Sequence, residues 1–138
     1  MKKQQIYSIL LVLIIVLMLP LFNQLLSSSN MPFRSLKAED IKSIDLYLQP
    51  PNKGIVIEDE KNIQDIIDAL NKLAVEAEKS SNVDGQVVAY TLHKNNGNSV
   101  EVKICSPYVL INEKIYKADY EICDVLNLLG NDLLENNK

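Results

Sequence analysis

His93 is the only imidazole in this 138-residue chain, so acid–base chemistry near neutral pH has a single histidine candidate. It ends a stretch of alternating apolar residues and stands beside the polar run Asn95-Asn96-Gly97-Asn98. A triad needs the ring held between a nucleophile and an acid. No Ser or Cys near His93 in sequence has the setting of a nucleophile elbow, so the expectation is an exposed edge histidine. Cys105 and Cys123 are the only cysteines, and with one histidine they fall short of the four ligands of structural zinc. Alternation puts Val100, Val102 and Ile104 on one strand face and Cys105 on the other. If the last helix packs on the Val/Ile face, Cys123 stays away from Cys105. The pair then reads as two small apolar core residues, although a disulfide is chemically allowed outside a membrane. Glu58, Asp59 and Glu60 could face a cation, but they also stand where a helix begins and suit its positive end. A carboxylate pair of the glycosidase kind is available in any acidic chain and proves nothing. The four glycines form neither GxGxxG nor GxxxxGKS/T, so no phosphate cradle is present. No catalytic residue, metal ligand or cofactor site is assigned, and the expected role is not enzymatic. The tyrosines are the binding-capable feature, since each joins a large apolar ring to a polar tip. Tyr90 is expected in the core. Tyr47 is expected on the open face of a sheet, with one of Tyr108 or Tyr116.

The elements that would carry these residues follow from periodicity. Ile44, Leu46 and Leu48 alternate with Ser43, Asp45 and Tyr47, and Lys42 falls on the apolar parity, which is the pattern of a half-buried strand. Pro50 and Pro51 stop that strand, and residues 54–57 make a short hairpin partner. Ile63, Ile66, Ile67, Leu70 and Leu73 form one stripe of an amphipathic helix with Asp59 as N-cap. That helix is predicted to end between Leu73 and Glu78, with a loop to Gly85. Strands follow at 87–94 and 99–105, joined through the Asn/Gly run, and then at 108–111 and 115–117 around Asn112-Glu113. In the last hairpin, Leu110 and Ile115 compete with Val109 and Ile111 for the core. Asp119 caps a final helix with the stripe Ile122, Val125, Leu126 and Leu129, and Gly130 is a fitting C-terminal stop. The predicted fold class is α+β, a mainly antiparallel sheet of about six strands in the order ββαββββα with two helices on one face.

Residues 1–26 differ from everything after them. Lys2 and Lys3 precede an almost unbroken apolar run from Ile6 to Phe22 that resumes at Leu25 and Leu26. As a helix this run is roughly 25 to 32 Å long, enough for a bilayer core. It has no polar face, which argues against a buried soluble helix. A signal anchor is expected, with a cleaved signal as the alternative, because Ser27, Ser28 and Ser29 offer small residues at a cleavage site. The Lys2–Lys3 flank keeps the N-terminus cytoplasmic and sends the rest outside the membrane. Residues 27–38 read as a linker and 39–135 as one extracytoplasmic domain. A domain starting at Ala38 is expected to fold alone. The chain carries a net charge of -4, and setting Lys2 and Lys3 aside leaves the rest at -6. That balance argues against a nucleic-acid partner and against docking on anionic lipid.

Three segments, Ala38-Glu-Asp-Ile-Lys-Ser-Ile-Asp-Leu-Tyr47, Asp59-Glu-Lys-Asn-Ile-Gln-Asp-Ile-Ile67 and Val109-Leu-Ile-Asn-Glu-Lys-Ile-Tyr116, carry a resemblance. Together they resemble small extracytoplasmic domains of Gram-positive bacteria that belong to families without assigned function. The resemblance covers strand starts, a cap and a turn. Such proteins often have Asn-Gly at the turn where this chain has Asn112-Glu113. It implies an envelope location behind a signal peptide or membrane segment and supplies no chemistry. The expected function is a membrane-tethered binding or sensing module that meets an envelope protein or peptide. The alternatives are an envelope hydrolase and an immunity or inhibitor protein at the membrane surface.

Overall fold

The computed structural model describes residues 2–78 and 82–137, with the backbone alone for residues 21–30. The chain divides into an N-terminal unit ending at Asn30 and a compact unit, Met31–Lys138. Helix α1 (Lys2–Asn30) runs through Pro20. Its segment Lys2–Pro20 is long and apolar enough to cross a membrane or to act as a signal sequence, and none of it is buried against protein. Ser27 to Ser29, expected in a linker, continue the helical backbone. Their side chains, and with them the candidate cleavage site, lie outside the described residues.

The second unit is α+β. A short 3-10 turn (Ala38–Asp40) leads into β1 (Ile41–Gln49) and β2 (Lys53–Ile57), followed by α2 (Glu60–Asn71) and β3 (Val75–Ala77). Then come β4 (Val87–Lys94), β5 (Ser99–Cys105), β6 (Tyr108–Ile111), β7 (Lys114–Ala118) and α3 (Tyr120–Asn136). The sheet has seven strands in the order β2-β1-β4-β5-β6-β7-β3, and every neighbouring pair is antiparallel. The expectation of six strands is therefore corrected to seven, in the order ββαβββββα. The added strand is β3, three residues that read in sequence as the tail of α2. It pairs with β7 at the sheet edge opposite β2, so α2 carries the chain from one edge to the other.

Local chemistry explains most of these boundaries. Asp59 caps α2 by accepting from the Asn62 backbone N–H at 3.0 Å, and that bond holds its carboxyl below the ordinary value. Asp119 caps α3 by accepting from the Glu121 N–H at 3.0 Å. All five residues of the expected α2 stripe are buried, and Ile66, Ile67, Leu70 and Leu73 are fully so. Each fully buried aliphatic side chain contributes about 1.5 to 3 kcal/mol relative to exposure. The Lys42 parity is corrected by a register shift in β1 between Ile41 and Ser43. The irregularity turns Lys42 outward and puts Ile41 in the core beside Ile44. In the last hairpin Val109 is buried and Ile111 packs against the core, which leaves Leu110 and Ile115 on the outer face. Tyr116 packs with the core and Tyr108 shares the outer face with Leu110.

Helix α3 departs most from the expected pattern. Its buried residues are Cys123, Leu126, Gly130, Leu133 and Leu134, whereas Val125 is 45% exposed. Ile122 and Leu129 are only partly buried at the margin of the core. Gly130 does not stop the helix but lies within it, facing the sheet. A Cβ there would come within 2.6 Å of Val88 Cγ1 and 2.9 Å of the Tyr90 hydroxyl. Glycine thus lets α3 approach β4 closely enough for Tyr90 to donate its hydroxyl to the Leu126 carbonyl. Burial pushes the Tyr90 phenol well above its ordinary value. Gly130→Ala is expected to destabilise the domain by up to about 2 kcal/mol, since overpacking costs about 1 to 3 and the helix-propensity gain offsets about 1 of it. Urea unfolding of the two chains measures this, and a gain in stability would show that the helix can retreat freely.

The start of the domain also moves. Phe33 is buried in the core and Leu36 packs against it, so residues taken as linker belong to the folded unit.

Candidate functional site

Polar side chains with chemical potential gather on the outer face of the sheet, away from the two helices. The register that builds this site is set at the β4–β5 turn. Lys94 donates its N–H to the Asn98 carbonyl at 2.8 Å, and Gly97 takes a positive φ of 89° that favours glycine. The loop is one residue tighter than the four-residue polar run suggests. Val88, Tyr90 and Leu92 therefore face Ile104, Val102 and Val100 across the ladder, and His93 lies opposite Ser99. On the other side of β4, His93 pairs with Ser43 and lies diagonal to Asp45 of β1.

These placements give His93 two partners that sequence reading did not supply. Its Nδ1 lies 2.9 Å from Ser99 Oγ, and its Nε2 lies 2.8 Å from Asp45 Oδ2. The expectation of an edge histidine without a nucleophile beside it is corrected: β4 is an interior strand, and the imidazole sits between a hydroxyl and a carboxylate. The order of the ring nitrogens is the reverse of a serine-hydrolase triad, in which Nε2 meets the serine and Nδ1 the acid. An oxyanion hole would also need free donors near Ser99 Oγ. Two backbone N–H groups near it in the chain are already engaged, Asn98 N by Asn96 Oδ1 and Glu101 N by Asn112 Oδ1, each at 3.0 Å. The triplet therefore offers a fixed pattern of donor and acceptor atoms on an open surface.

Neighbouring rows extend this pattern. Lys103 bridges Glu113 at 3.0 Å and Glu101 at 3.2 Å. The hydrogen bond to Glu113, followed by that to Glu101, raises the Lys103 ammonium above its ordinary value. Glu113 holds a positive φ of 72° in the β6–β7 turn, a conformation in which glycine would be at ease. Tyr47, two residues from Asp45 and so on the same face, is 44% exposed. Tyr47 is paired with Ala89, which faces Lys103 on the next strand, so ring, acid and imidazole share one polar surface.

The acid run from Glu58 to Glu60 does not join this surface. Glu58 and Glu60 line a separate groove with Glu39, while Asp59 serves as the helix cap. Among the described residues no group of three His, Cys, Asp or Glu side chains is placed to hold a metal ion. Cys105 and Cys123 are free and buried. Cys123 belongs to the main core and Cys105 does not, as alternation along β5 requires. Burial pushes the Cys123 thiol up to about 11, with Asp119 and Cys105 adding to the effect, and burial also raises Cys105. Both thiols are expected to resist a disulfide-exchange reagent at pH 8 in the folded chain and to react after unfolding in guanidinium. Fast labelling of the native chain would contradict their burial.

Comparison with protein-family models, curated proteins and solved structures extends the description no further. None matches this chain.

Proposed function

We propose that the protein is a membrane-tethered extracytoplasmic binding module that engages an envelope protein or peptide. The observation that carries this reading is the pairing of the apolar segment Lys2–Pro20 of α1, none of it buried against protein, with a separate compact unit. An apolar helix left bare by its own chain is satisfied by lipid. Lys2 and Lys3 support a cytoplasmic N-terminus, and the likeness of residues 38–47, 59–67 and 109–116 to Gram-positive extracytoplasmic domains supports the same location. Binding is favoured over turnover because His93 presents Nε2 to the acid and two backbone donors near Ser99, those of Asn98 and Glu101, are occupied.

Crosslinking in native membranes, with identification of the captured partner, tests this reading. Tyr47→Ala should weaken capture and leave the fold intact, since Tyr47 is an exposed aromatic anchor on the sheet. His93→Ala should leave the cellular role intact. A second reading, an envelope hydrolase, is favoured by one observation, the contact of Ser99, His93 and Asp45. Covalent labelling of Ser99 by a fluorophosphonate, lost in His93→Ala, would select the hydrolase and overturn binding.

A further inference from the structure

A surface on the opposite side of the domain has the chemistry of a peptide-helix dock. Helices α2 and α3 leave between them a groove of about 530 Å3. Ala69, Ile122, Val125 and Leu129 supply its apolar lining, and Asp65, Asp68 and Glu121 bring three acids against one cation, Lys72. The apolar strip exists because the α3 stripe is rotated. The helix turns Cys123 and Leu126 into the core, which leaves Val125 45% exposed and Ile122 and Leu129 at the margin. Leu128, 58% exposed, adds apolar surface on the same helix. This arrangement departs from the usual polar exterior of a surface helix.

We infer that this groove docks a cationic amphipathic helix of a partner protein or peptide. Resting on the binding-module reading, this adds the surface used and the chemistry of the partner. Recognition would follow the helix-in-groove mode, with an apolar stripe on the partner meeting Val125, Ile122 and Leu129. Lys or Arg beside that stripe would meet Asp65, Asp68 and Glu121. Asp65 already pairs with Lys61 at 3.2 Å, and Asp68 accepts from Gln64 at 2.7 Å. Those contacts lie within α2 on exposed side chains, where they exchange readily with an incoming cation. The same charge decides against other occupants. A second copy would oppose acid to acid, and anionic lipid would be repelled by a unit of net negative charge.

The test uses the full chain in phosphatidylcholine nanodiscs, with empty nanodiscs as the blank. The probe is a fluorescent Leu/Lys peptide of about 18 residues, five helical turns, designed with one apolar face. Its controls are a scrambled peptide of the same composition and a Leu/Glu counterpart. Binding of the amphipathic Lys peptide should weaken about tenfold in the double variant Asp68→Lys, Glu121→Lys. Val125→Gln, at a position 45% exposed, should also weaken it by about fivefold. The double variant Asp124→Lys, Glu135→Lys makes the same change in net charge outside the groove lining and should weaken it less than about twofold. Equal loss in both charge variants, equal binding of the scrambled peptide, or absence of binding would overturn the inference. Self-association abolished by Val125→Gln would assign the groove to a second copy and also overturn it. These failures leave the tethered-module reading standing, whereas cytosolic recovery of the full-length chain removes that reading itself.

Discussion

Leu126→Ala in α3 is expected to lower the unfolding free energy of the domain by about 2 to 5 kcal/mol, the usual cost of a large-to-small core change. Leu126 is fully buried at the middle of the helix. Its truncation removes apolar contacts while the backbone carbonyl that receives the Tyr90 hydroxyl remains. Its neighbour provides the control. Val125→Ala, at a position 45% exposed, should fall within about 0.5 kcal/mol of the parent. Urea unfolding of both variants decides which stripe of α3 is packed. A larger loss for Val125→Ala than for Leu126→Ala would reinstate the stripe read from sequence and contradict the observed rotation.

The second large effect concerns where the domain begins. Phe33→Ala is expected to cost about 3 kcal/mol, because a buried phenyl ring is lost from the core. A chain starting at Ala38 should lose at least as much relative to one starting at Met31, since it also removes Leu36, which packs on the same core. The Asn71 side chain, turned so that its nitrogen faces them, donates to the Phe33 and Leu36 carbonyls at the end of α2, so truncation strands that amide as well. Denaturant midpoints of the two truncations measure the difference. Equal midpoints would return residues 31–37 to the role of a linker.

What the sequence made legible was local. The α2 stripe, both Asp caps and the β6–β7 turn depend on neighbours a few residues apart, and each is found where periodicity and capping place it. The missed features depend on distant partners. Three residues cannot announce β3 when Val75 lies only a few residues past the end of a helix and its ladder partner is Ala118. The rotation of α3 rests on Gly130 meeting Val88 and Tyr90, a tertiary contact that no helical period contains. Phe33 looked like linker because a lone aromatic has no period.

The outer-face site divides in the same way. Ser99 opposite His93 could have been found, because only one register sets Val88, Tyr90 and Leu92 against the apolar face of β5. Reading four loop residues in place of three concealed it. Asp45 belongs to a strand separated from β4 along the chain by a helix and two other strands, and nothing in the spacing brings it to His93.

The central claim is the tether and the side of the membrane on which the domain stands. Intact cells carrying the full chain with a C-terminal tag can be treated with a membrane-impermeant protease and then fractionated. The account predicts a full-length chain in the membrane fraction whose tag is lost to external protease. A full-length chain in the cytosol, tag protected, would contradict it.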